Sequence, residues 1–279
     1  MPRSLPWLRT RPTKGVAFAI HLTLSLLVFS VLVIIMLLYW FPGELFFLDG
    51  GWQGLKLVAM IDLVLGPALT LVLYKPEKPE LLLDMSLIAV LQISALSYGF
   101  YTTHQQRTVA IVFAENGFNT VSAKDNRDAD QQLQSLNEQP APLPPVSLLE
   151  LPLLLTPEPE DFGQYLADIL NGYPGPQDRS DQYVPVSEHH DAMQKDALDW
   201  QSVVDRGSEQ AVQAALQKRQ LELGAVELYP FRARYADGIA LFDPAAMKIV
   251  DFVPDDTPAI AAAMPAESHD TPQQATPDS

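Results

Sequence analysis

The chain contains no cysteine. That absence excludes a disulfide framework, a thiolate nucleophile and any cysteine-ligated zinc site. Basic residues are scarce as well, with 18 Lys and Arg against 34 Asp and Glu in 279 residues. A basic stripe for nucleic-acid phosphates is therefore missing, and so much carboxylate disfavours docking on anionic lipid. The sequence also lacks a GxSxG elbow, a GxxxxGK[ST] loop, a GxGxxG turn and paired carboxylates in a recognisable setting. The expectation is a binding protein rather than an enzyme, with no cofactor and no metal.

What is present divides unevenly. Residues 1–104 hold seven Lys/Arg and six Asp/Glu, whereas residues 105–279 hold eleven against 28. Such asymmetry marks a membrane half joined to a soluble, acidic half.

Three apolar runs occupy about residues 15–41, 52–74 and 81–101. Roughly 20 apolar residues cross ~30 Å of hydrocarbon, so each suffices for a transmembrane helix. The first outruns a signal h-region of about 7–15 residues and ends Tyr39-Trp40-Phe41-Pro42, with no small-residue cleavage site. It reads as a retained anchor. Between the second and third runs, Lys75-Pro76-Glu77-Lys78-Pro79-Glu80 leaves room only for a tight turn, and its prolines belong at the polar interface or beyond it. Arg3, Arg9, Arg11, Lys14, Lys75 and Lys78 fall on one side, and Lys56 and Arg107 on the other. The positive-inside rule then puts the N-terminus in the cytoplasm and the long acidic domain outside it. Trp40, Phe41, Phe46, Phe47, Trp52, Phe100 and Tyr101 are expected to form an aromatic belt on the outer side, where Lys56 can snorkel to the surface.

Polar residues interrupt these runs. Asp62 sits halfway along the second, where a carboxylate costs on the order of 3 kcal/mol. The second and third runs are antiparallel, so Gln92 falls at similar depth. Ser25 and Ser30 lie near that level on the first run, and His21 lies closer to the cytoplasm. Pro67 frees a carbonyl near Leu63 and kinks the helix. His21, Ser25, Asp62, Pro67 and Gln92 form the candidate cluster, with two readings open. One is a structural hydrogen bond worth ~1 kcal/mol. The other is a site that receives a polar group from a partner helix or relays a proton.

After Tyr101 the pattern becomes strand-like. Thr108–Phe113 and Phe118–Ala123 flank Glu115-Asn116-Gly117, a hairpin signal because Asn-Gly tolerates positive φ. A second hairpin is expected within Val226–Val253 around Ala236-Asp237-Gly238, with Met247–Val253 as a further strand. Lys124–Gln139, Pro159–Asn171, Ser187–Arg206 and Ser208–Leu223 are helix-permissive, and Leu148–Leu155 suits an apolar plug. The Pro-, Ala- and Asp-rich residues 254–279 read as disordered. The fold expected is three transmembrane helices plus a small α+β domain outside the cytoplasm. Its divisions are a cytoplasmic segment 1–14, a membrane module 15–104, an α+β domain 105–253 and a tail 254–279. Glu188-His189-His190-Asp191 is the densest metal-capable cluster, but neighbours on a helix point apart, unlike HExxH, and a surface helix start is expected. Asp251 and Asp255-Asp256 are expected to be solvated charges.

The series His21, Ser25-Leu26, Trp40-Phe41-Pro42-Gly43, Asp62-Leu63-Val64-Leu65-Gly66-Pro67-Ala68-Leu69-Thr70-Leu71, Lys75-Pro76, Asp84, Gln92 and Ala95-Leu96-Ser97-Tyr98-Gly99 resembles the TfpX/TfpZ type IV pilin accessory proteins. The likeness continues through Arg107, the Val109–Phe113 strand, Phe118, Val121 and Ala123, so it spans Gly15 to Lys124. It departs from the family pattern at Thr108, where the family has proline. The resemblance implies a non-enzymatic inner-membrane helper of type IV pilus biogenesis whose partner is the major pilin. Asp62, Gln92 and the topology motivate the hypothesis that the polar interior of the bundle holds a pilin helix, with an acidic residue near its N-terminal end, while the outer domain meets the pilin head. A sensor or scaffold binding another envelope component is the competing class.

Overall fold

The computed structural model describes residues 13–75, 78–146, 150–159 and 161–255. The expectations for Arg3, Arg9, Arg11, Pro76, Glu77, 147–149 and 256–279 lie outside the described residues.

Three helices are long and apolar enough to cross a membrane: α1 (Lys14–Trp40), α3 (Gly51–Leu73) and α4 (Leu81–Gln105). The hydroxyl of Thr13 caps the first by accepting from Val16 N–H. Large apolar side chains such as Leu27, Val72 and Leu82 stay exposed on their outer surfaces, as hydrocarbon rather than water would favour. Two stretches wind as π-helix, Met36–Trp40 at the end of α1 and Met60–Leu65 inside α3.

The turn from α1 to α3 carries a short helix, α2 (Leu45–Leu48). Its Leu45 and Leu48 enter the core of the second domain. The aromatic belt is thereby corrected: Trp40, Phe41 and Phe46 are buried in the helix packing, and Phe47, Trp52, Phe100 and Tyr101 stay exposed. Lys56 lies over the Trp52 ring, 5.5 Å from its centroid.

The second domain is one mixed α/β layer structure rather than two separate hairpins. Its strands are β1 (Thr108–Ala114), β2 (Gly117–Ser122), β3 (Leu153–Leu155), β4 (Val184–Pro185), β5 (Glu227–Arg232), β6 (Asp237–Asp243) and β7 (Lys248–Pro254). They form a sheet of order β4-β3-β1-β2-β5-β6-β7. Both expected hairpins are present as antiparallel pairs. Parallel pairing of β1 with β3 and of β2 with β5 joins them into one sheet. Part of the expected apolar plug is thus the strand β3. In the first turn, Glu115 and Asn116 carry the positive φ. Gly117 already belongs to β2, where a Cβ would stand 2.7 Å from the Pro230 carbonyl.

Alternation along each strand splits the core between two faces. Ile111, Phe113, Phe118, Tyr229 and Phe242 pack with α2 and with Val186 and Met193 of α7 (Val186–Met193). On the opposite face, Leu228, Ile239 and Leu241 pack under α8 (Trp200–Asp205) and α9 (Glu209–Arg219). The remaining helices are α5 (Ala123–Ser135) and α6 (Phe162–Leu170). The Ser187–Arg206 stretch is kinked at His189 and breaks at Ala197, which is extended, before Asp199 caps a new helix by accepting from Ser202 N–H. Within it, His190 Nε2 lies 2.7 Å from Glu227 Oε2. Asp251 corrects another expectation: it is 4% exposed and ion-paired to Arg219 at 2.8 Å. Asp255 accepts from Ser208 and pairs with Arg206.

Asp49 joins the two domains. Its carboxylate, 1% exposed, accepts from the Thr108 hydroxyl, the Thr120 hydroxyl at 2.8 Å and the Arg234 N–H at 3.1 Å. Tyr235 N–H donates to the Leu48 carbonyl beside it. Gly50 holds φ +104°, and a Cβ there would stand 2.6 Å from the Tyr235 ring. Losing the Asp49 carboxylate leaves three donors to be satisfied, each costing about 1–3 kcal/mol if buried unpaired.

Burial raises the Asp178 carboxyl to about 6, helped by the nearby Asp125 charge. The folded state then holds its proton more tightly than the unfolded chain, so this group stabilises the fold increasingly as pH falls from 7 through 6. Asp178→Asn is expected to be more stable than wild type at pH 7, with the gap narrowing by about 1 kcal/mol at pH 5. Urea unfolding of the detergent-solubilised protein at both pH values checks this, and a gap independent of pH contradicts it.

Candidate functional site

The polar residues of the helical module meet on one face. His21 and Ser25 are four residues apart on α1 and share a side. Asp62 sits in the π-helical part of α3, and Gln92 lies midway along α4. Gln92 Nε2 donates to Asp62 Oδ1 at 2.5 Å, and the Ser25 hydroxyl donates to the same oxygen at 3.1 Å. Because its nitrogen faces the carboxylate, Gln92 turns its oxygen to His21. His21 Nε2 donates to that oxygen at 2.7 Å, and its Nδ1 lies 2.6 Å from the Thr70 hydroxyl, which also reaches the Gly66 carbonyl at 3.2 Å.

The structure therefore brings His21, Ser25, Asp62 and Gln92 into one network and adds Thr70, which sequence reasoning missed. Thr70 lies eight residues beyond Asp62. A π-turn takes in one extra residue, so the interval counts as about seven, or two full helical turns. The signal was the polar residue two turns on, hidden by assuming regular α-helix. Ser30 stands apart, its hydroxyl donating to the Leu26 carbonyl one turn back. Pro67 is buried in the first turn of the regular helix that follows the π-segment. Gly66 is also buried, and a Cβ there would come within 2.4 Å of the Gln92 amide nitrogen. The absent side chain is what lets Gln92 reach Asp62.

This network floors a groove of about 510 Å³ between α1 and α4. Its walls are apolar, including Leu24 and Val28 of α1 and Ile88 and Ile93 of α4. Asp62 lines the groove and is only 3% exposed. Its Oδ2 is buried and has no hydrogen-bond partner among the described residues. A buried polar oxygen without a partner is costly, more so in hydrocarbon where no water compensates. The arrangement is a carboxyl group with one unpartnered, buried oxygen beneath an apolar trough of the size of a ligand pocket.

Over 108 residues, 38% of the chain, the sequence is 35% identical to the fimbrial assembly protein of serogroups C1 and C2 of Dichelobacter nodosus, of which it covers 82%. It is 35% and 34% identical to the fimbrial assembly proteins of serogroups I and E1 of the same organism, and spans 42% of the length of each. No family model and no solved structure matches.

Gly66→Ala is expected to push the Gln92 amide off Asp62 and to cost about 1 kcal/mol of helix packing. In a Gln92→Ala background the same change has nothing to displace and is expected to be nearly neutral. Thermal unfolding in detergent across this double-mutant cycle provides the check; equal costs in both backgrounds contradict the assignment.

Proposed function

The chain belongs to the family of fimbrial assembly proteins, and from that premise we propose that it is a non-enzymatic accessory factor of type IV pilus biogenesis, of the TfpX/TfpZ kind, that holds the helix of the major pilin in its intramembrane groove. The observation that carries this reading is the unpartnered, buried Oδ2 of Asp62, a residue that lines the apolar trough. An occupant that fits must be apolar along its length and must supply a hydrogen-bond donor at the depth of Asp62. A single membrane helix with an amine, hydroxyl or carboxylic acid at that depth meets both conditions, and a wholly apolar lipid chain meets only the first.

Topology supports the same reading. Basic residues concentrate before α1 and in the α3–α4 turn, which supports an N-terminus in the cytoplasm and an acidic domain in the periplasm. The groove lies along the N-terminal half of α1, from Ala17 to Val28. In this orientation that is the cytoplasmic half of the inner membrane, where the N-terminal end of a pilin helix waits before assembly.

Replacing both Asp62 and Gln92 by leucine tests the proposal. Leucine removes the orphan acceptor without adding a buried polar group, so the bundle is expected to stay folded. Pilin co-purification is expected to be lost, and surface pilin to fall at least tenfold at normal total pilin. Unchanged pilin binding and piliation in this double variant would sink the proposal.

A further inference from the structure

The second domain hides its apolar side chains well except in one place. Beyond residue 105, eight large apolar side chains are exposed among the described residues, and four of them lie on α6. Phe162, Leu166, Ile169 and Leu170 are 74%, 46%, 47% and 78% exposed. At ~100° per residue they fall within an arc of about 100°, which makes a single stripe. No residue of α6 is buried, so this amphipathic helix keeps its apolar face away from its own domain. Beside the stripe, Phe162 and Tyr165 wall a cleft of about 460 Å³ with Pro157, Pro159 and the β1–β2 turn.

Position and charge narrow the occupant. Tyr165 donates to Glu115 in that turn, at the far end of β1 from Thr108, which bonds Asp49 at the junction with the helices. Seven residues of strand at ~3.3 Å each place the stripe about 20 Å from that junction. Around it stand Glu115, Glu158, Asp161 and Asp168. The nearby cations are Lys195, paired with Glu158, Arg179, paired with Asp168 and Asp181, and Arg232, which donates to the Glu115 carbonyl, and the rim keeps a net negative charge. An acidic rim repels anionic lipid and repels the same rim on a second copy. It suits a protein surface of apolar side chains ringed by lysine or arginine.

We infer that the α6 stripe is a second docking face, which takes such a basic-rimmed apolar patch on the soluble part of the fimbrial subunit. This rests on the reading that the subunit is the partner held in the groove. The two sites then grip one partner at two points, and the second contributes affinity through its effective concentration.

The test measures binding of the full-length chain in nanodiscs to the full-length major pilin of the same organism. Leu166→Ser with Leu170→Ser, both at exposed positions, is expected to weaken binding at least tenfold. Glu158→Lys reverses one rim charge in an exposed ion pair and is expected to weaken it about threefold; raising salt is expected to weaken wild type. Unchanged affinity in the serine variant, with the Asp62 and Gln92 leucine variant impaired, overturns the stripe and leaves the groove standing. No binding by wild type overturns both. Serine-sensitive self-association, or serine-sensitive binding to vesicles of anionic lipid, overturns the inference in favour of a second copy or a membrane.

Discussion

One carboxylate in a place where carboxylates are expensive organises the helical module. Asp62 Oδ1 is satisfied from two other helices, by Ser25 and Gln92, and so fixes how α1, α3 and α4 are rotated against each other. Gln92 passes the network on to His21 and Thr70. Gly66 and the π-segment exist in this sequence to make that geometry possible: one opens space for Gln92, the other aligns Thr70 with Asp62. A purely structural lock would satisfy both oxygens. Asp62 Oδ2 is buried with no donor among the described residues, and the proposal that the cluster receives a group from a partner helix rests on that oxygen.

The acidic domain is tied to this module by short, polar and specific connections. Two residues separate α4 from β1, and the α1–α3 turn inserts Leu45 and Leu48 into the core of the sheet. Asp49 completes the junction with three accepted hydrogen bonds. The sheet is thereby oriented with respect to the helices. A partner held in the groove would rise beside a surface of defined position, including the apolar stripe of α6.

Much of this was legible from sequence where the signal is local. Long apolar runs mark the spans, and the hairpins of β1–β2 and β5–β6 follow from alternation and turn residues. Asp62 and Gln92 were paired by counting depth along antiparallel helices. What escaped depends on long-range placement. The strand β3 is three residues long and flanked by proline, and only its parallel pairing with β1 makes it a strand. Asp251 looks like any solvated acid until α9 folds over β7 and brings Arg219 to it. Thr70 was obscured by a departure from regular helix, and no sequence pattern reports that one oxygen of Asp62 lacks a donor.

The most direct measurement of the central claim is photo-crosslinking in cells that make pilin. A photoreactive phenylalanine replaces either Ile93, which lines the groove, or Val90, which is equally exposed on α4 but lies outside it. The account predicts a pilin adduct from position 93 and none from position 90. Adducts of equal yield from both, or from neither while the soluble domain crosslinks to pilin, would contradict it.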